Sequence, residues 1–68
     1  MNNLPEKLKQ YIWFERRMSI KRAAKEIEIS SAYLYKIANG KLVPGKAAAR
    51  KIQKWSNDKF QTRHLMEV

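Results

Sequence analysis

The chain contains no cysteine, only two glycines and two prolines, and a single histidine. Without cysteine there is no disulfide to staple the fold and no thiolate to bind a metal. Its absence also fits a reducing cytosol. His64 has no paired Cys, Asp or second His, so it reads as a surface residue rather than a metal ligand or catalytic base. No serine stands in a Ser-His-acid pattern, and no glycine-rich loop could cradle a phosphate. No enzymatic activity, cofactor or small-molecule ligand is expected. Long apolar runs are missing too, which excludes a membrane span, and MNNLPEKLK lacks the basic-then-apolar order of a signal peptide. A cytoplasmic protein is expected.

Acidic residues are scarce: six Asp and Glu face fifteen Lys and Arg, for a net charge of +9 over 68 residues. An excess of that size on one small domain attracts polyanions, with nucleic acid and anionic membranes as the usual partners. Its distribution is informative. From Ser19 to Lys54 the bases are Lys21, Arg22, Lys25, Lys36, Lys41, Lys46, Arg50, Lys51 and Lys54, and only Glu26 and Glu28 oppose them. They are spread over several helices, and the first helix is short and mixed, which speaks against a membrane surface. A chain this short buries only about 60% of its unfolded surface. Its core must therefore come from helices docked closely, with a second subunit as a further source of buried area.

The punctuation at Pro5, Gly40, Pro44 and Gly45 divides the chain into short helices, with no repeat or linker. The expected fold is all-α: a single domain over 1–68 of four to five helices, with a tail that is a short helix or extended. The first helix is expected from Pro5 to Arg17, with Leu4, Leu8, Tyr11, Ile12 and Glu15 near one stripe. Trp13 and Phe14 lie off that stripe, one of them half exposed or buried against the C-terminal segment. Ser19 caps a second helix, Ile20 to Glu28, whose inward face is Ala23, Ala24 and Ile27. Ser30 caps the third, with Ile29 and Leu34 placed as a hydrophobic staple and Asn39-Gly40 as its end. Pro44 opens a fourth helix through about Ser56, with Ala48, Ile52 and Trp55 inward and Lys46, Arg50, Lys51 and Lys54 outward. Asn57-Asp58 reads as a turn, Lys59 to Gln61 as extended and Thr62 as a cap. Phe60, Leu65 and Met66 return to the core or meet a partner chain.

Residues 19–40 are the most informative part. Neighbours on a helix recur at three and four residues, so Leu34, Ile37 and Ala38 share the core face of the third helix. Ser31, Ala32, Tyr35 and Lys36 share the opposite face, which is free to meet a groove. The helix starts at Ser19 and Ser30 offer backbone N–H groups and the positive dipole end to phosphates. Among the flanking bases, Lys21 and Lys46 are placed as further phosphate contacts.

The run ISSAYLYKIANGKLVP resembles the recognition-helix region of the Cro- and repressor-type helix-turn-helix proteins of bacteriophages, and SIKRAAKEI resembles their preceding helix. KFQTRHLM is similar to the tail of YdaS-like proteins, small phage-derived regulators of the same fold. The resemblance covers most of the chain and is densest over residues 18–44. It implies a lambda-repressor-like helix-turn-helix fold. It also implies base-edge contacts from Ser31, Ala32 and Lys36, with Tyr35 on the same face. Phosphate contacts are implied for Ser30, Tyr33, Asn39 and Lys41. Ala32 would offer a methyl to thymine, and Lys36 would donate to guanine O6 and N7, a contact worth about 1–3 kcal/mol of discrimination. Two positions depart from the pattern. Glu28 stands where the turn usually has Gly, and Ile20 where many relatives have Gln.

The leading expectation is a sequence-specific regulator that binds double-stranded operator DNA as a homodimer. An antitoxin or other protein-interaction module, and an architectural or excisionase-type DNA binder, are the alternatives.

Overall fold

The capping signals of the sequence become helix starts in the computed structural model, which describes residues 4–66. Residues 1–3 and 67–68, counted in the expected 1–68 domain, lie outside the described residues. The elements are α1 (Leu4–Gln10), a π-helical segment (Tyr11–Glu15), α2 (Ile20–Ile27), α3 (Ser31–Ala38), α4 (Lys46–Trp55) and α5 (Thr62–Met66), with no strand among the described residues. They close on one core, in which Leu8, Ile12, Leu34, Ile52 and Leu65 are the largest fully buried side chains. The all-α expectation holds, and the tail ends in a short helix.

The first helix differs from its expected course. It passes from α into π hydrogen bonding at Tyr11, where Arg16 N–H donates to the Tyr11 carbonyl at 2.9 Å. It ends at Glu15 rather than Arg17, whose φ of +51° turns the chain away. Tyr11 and Ile12 stay in the core, while Glu15, expected inward, is exposed and pairs with Lys59 at 2.8 Å. The carboxylate finds a cation there while both side chains stay partly in water. Trp13 is half exposed at 46%, as expected of one of the pair, while Phe14 is open at 69%, and neither is buried against the tail.

The α2–α3 pair follows the sequence closely. Ser19 Oγ accepts from Arg22 N–H, and Ser30 Oγ accepts from Tyr33 N–H, both at 3.1 Å. Each such cap is worth about 1 kcal/mol. Ala23 and Ala24 are buried, and their small side chains let α2 lie close against α3, its chief neighbour. Between the helices Glu28 adopts the left-handed conformation (φ 71°, ψ 44°) in which glycine is usual. The turn is closed by Ile29 N–H donating to the Ala24 carbonyl at 3.0 Å, and Lys51 Nζ donates to the Glu28 carbonyl at 3.3 Å. Ile20 is buried, so its side chain is committed to the core. After α3, Gly40 has φ +73° and lies against Pro5 at the start of α1.

The fourth helix starts later than expected. Gly45, not Pro44, precedes its first turn, and Pro44 is buried in the approach. Ala49 and Ile52 take the innermost positions, while Ala48 and Trp55 are half-buried. The later start leaves the stripe to be set by packing against α2 and α5, which moves the small inward residue by one. In the tail, Asn57 and Asp58 turn the chain with positive φ, and Phe60 and Leu65 are buried while Met66 stays exposed. Thr62 is not a cap but the first residue of α5. Its N–H and hydroxyl both donate to Gln53 Oε1, at 2.7 Å each. A side chain from α4 thus does the capping that the tail lacks.

Candidate nucleic-acid interface

The outward face of α3 is built by the helix that carries it. Leu34, Ile37 and Ala38 are buried at 0%, 3% and 1% exposure, which fixes the rotation of the helix about its axis. Ser31, Ala32, Tyr35 and Lys36 are then all exposed together, with the Tyr35 ring 59% accessible. This face has a hydroxyl, a methyl, a phenol and an ammonium within two turns. It can donate, accept and make apolar contact along one narrow ridge.

Most of the residues expected at phosphates are open to solvent. Ser19, Lys21, Ser30, Asn39, Lys41 and Lys46 are exposed. Ser19 and Ser30 spend their hydroxyl oxygens on their own helices, as described above. Their hydroxyl protons remain the groups for an outside acceptor. Asn39 Nδ2 donates to the Tyr35 carbonyl at 2.9 Å, which ties its amide to the end of α3. Tyr33 is half-buried, and its hydroxyl accepts from Gly45 N–H at 3.0 Å. That bond clasps α3 to the start of α4, where Lys46 stands. The phenol can still donate its own proton outward. Tyr33 therefore joins the two elements instead of hanging free on the surface.

Charge on the α2 side is less balanced than its composition suggests. Glu26, one of two acids between Ser19 and Lys54, is engaged on three sides. Trp55 Nε1 donates to it at 3.1 Å, and Arg16 and Arg22 lie at 3.5 and 3.7 Å. The indole hydrogen bond, followed by the two guanidinium charges, holds the Glu26 carboxyl below its ordinary value. A shallow recess lined by Ser19, Lys21, Arg22, Lys25 and Glu26 adjoins the start of α2. Arg22 and Lys25 join Lys21 there, and the spacing of three and four residues that sets Lys25 beside Arg22 and Lys21 on the helix is the signal that could have placed them.

No protein-family model matches this chain, and no curated protein or solved structure matches it either. Among the described residues no group of His, Asp or Glu side chains comes together as a metal site, and no helix is long and apolar enough to cross a membrane. Trp13 and Phe14, two large exposed aromatics on the π segment, are not absorbed by the α3 ridge.

Proposed function

We propose that the protein is a sequence-specific DNA-binding regulator of the helix-turn-helix kind, acting from the major groove through α3. One observation carries the reading: Ser31, Ala32, Tyr35 and Lys36 are exposed together on a helix whose opposite face is wholly committed to the core. In this reading those four side chains meet base edges. Ser19, Lys21, Ser30, Tyr33, Asn39, Lys41 and Lys46 hold the backbone. Net charge of +9 supplies the attraction that brings the chain to DNA.

The molecule measures 25 × 22 × 22 Å. Successive major grooves on one side of a duplex lie about 34 Å apart, so reading both halves of a two-fold operator takes two copies. Phe60 and Leu65 are used up in the core of their own chain. Among the described residues this leaves Met66 as the exposed apolar side chain of the tail, which supports a dimer that is weak in solution and completed on DNA. Binding over a promoter would exclude polymerase, which makes repression in a bacterial cytoplasm the natural role, as in the phage Cro and repressor proteins that the chain resembles.

Selection of duplexes from random DNA, followed by titration of selected and random sites, tests the reading. The expected outcome is a palindromic site and at least tenfold tighter binding to it. Lys36→Ala should relax preference at one base pair, costing about 1–3 kcal/mol there. Lys46→Ala should weaken all sequences alike and lower the salt slope by about 1. Equal affinity for selected and random DNA would sink sequence-specific regulation and point to an architectural binder.

A further inference from the structure

Trp13 and Phe14 are consecutive, large and exposed, at 46% and 69%. A small protein whose core is this economical gains stability from every aromatic it buries. Leaving two outside needs a reason of its own. Two backbone features lie at the same place. The helix that carries them is in π hydrogen bonding over Tyr11–Glu15, a form that is rare and concentrated at functional positions. Arg17, just beyond, sits at φ +51°, outside the usual range for a residue with a side chain.

The two rings form a shelf beside one recess, and Phe14 reaches a second. One is lined by Trp13, Phe14, Arg17, Met18 and Ser19. The other runs between α1 and the tail, with Phe14 on its rim beside Lys7, Glu15, Lys59 and His64. Neither recess includes a residue of α3. The charges around the rings are mostly cationic. Lys9 Nζ lies 5.6 Å from the Trp13 ring centre, Arg17 and Lys7 are exposed, and the one acid, Glu15, is already paired with Lys59.

We propose that this shelf is a docking site for an acidic amphipathic segment of another protein, with apolar side chains on Trp13, Phe14 and Met18 and carboxylates over Lys7, Lys9 and Arg17. Charge complementarity selects that occupant. A second copy of the chain would bring the same cationic rim and another +9. Of its six acids, Glu26 is already held by Arg16, Arg22 and Trp55, and Glu15 by Lys59. Ser19 lines the same recess as Trp13 and Phe14. A partner seated there stands beside the start of α2 and can communicate with whatever that helix end binds.

Two-dimensional amide and indole NMR of the intact chain tests this, with a short amphipathic peptide of Glu, Asp, Leu and Phe as the probe. Poly-glutamate, a Lys-for-acid version of the peptide and single-stranded oligo-dT serve as comparisons. The expected result is saturable shifts at the Trp13 indole and at Phe14, Arg17 and Met18, with α3 unmoved, and poly-glutamate at least tenfold weaker. Phe14→Ser and Trp13→Gln, both surface changes, should weaken the peptide tenfold or more and leave duplex-DNA titration unaltered. Silence of the shelf towards the peptide would overturn the proposal. So would equal response to poly-glutamate, shifts confined to α3, or oligo-dT binding at Trp13 and Phe14 where the peptide does not. Failure of the DNA reading would show instead in duplex titration, with the peptide shifts intact.

Discussion

At the start of α3 the Ser30 hydroxyl accepts a backbone N–H three residues away, whereas at the start of α5 the same task falls to Gln53 on another helix. The contrast extends to both sides of the molecule. On the α2–α3 side, serine caps, small inward residues and a left-handed turn act within a few residues of chain. On the α1–α4–α5 side, contacts reach across the sequence. Arg16 stacks on the Trp55 ring at 4.4 Å and donates to its carbonyl, Tyr11 packs edge-on against Trp55 and Phe60, and Lys59 reaches Glu15. The ends of α2 and α3 are set by residues beside them, while the α1–α4–α5 side depends on partners far along the chain.

Truncation of the core should separate the two sides most. Leu34→Ala removes a fully buried side chain at the centre of the α2–α3 pair and should cost about 2–5 kcal/mol, read as a lowered thermal midpoint for the whole domain. Leu65→Ala removes an equally buried side chain from five-residue α5. It should cost less, near the lower end of that range at about 2 kcal/mol, because a five-residue helix can detach. Hydrogen exchange would then speed up in α5 well before α2 and α3. Equal loss of protection in all three would erase the distinction.

Ser30→Ala should destabilise by about 1 kcal/mol, and Ser30→Gly by only a few tenths, as expected of a local cap. Chemical denaturation measures both, and a loss far larger than this would mean that Ser30 carries contacts beyond its own helix. Glu28→Gly should stabilise slightly, by about 0.5 kcal/mol. Relief of the left-handed strain, about 1–2 kcal/mol, outweighs the extra freedom of glycine in the unfolded chain, about 0.5–1 kcal/mol.

The smallest effect concerns the long-range side and acid. Glu26 is held below its ordinary value chiefly by the Trp55 indole. A depressed carboxyl contributes stability above the ordinary carboxylate range and loses it as pH falls through the folded value. Trp55→Phe removes the main cause, so the variant's stability should fall less steeply on acidification than that of the parent. Parallel acid titrations of the two proteins, with slopes unchanged, would show that Glu26 owes little to the indole.

The same division explains what could be read from the residues. Ser19, Ser30, Asn39 and Gly40 mark ends because their side chains, or the lack of one, act on the backbone immediately beside them. The Leu34, Ile37 and Ala38 stripe fixes which face of α3 is outward, so the candidate ridge of Ser31, Ala32, Tyr35 and Lys36 was also legible. The late start of α4 at Lys46, the shift of the small inward residue to Ala49 and the place of Thr62 inside α5 were not. Each depends on a partner many residues away, such as Gln53 for Thr62 or α2 for Ala49. The π segment belongs with them. Nothing in YIWFE requires a wider turn by itself; the turn holds Tyr11 and Ile12 in the core while Arg16 reaches Trp55 and Glu26. The sequence alone determined the caps, the core face of α3 and the cationic character, because these are local or additive properties. Tertiary structure alone decided which aromatics stay outside, how Tyr33 clasps α4 and where the shelf of Trp13 and Phe14 lies, because burial is settled by the competition of all helices for one small core.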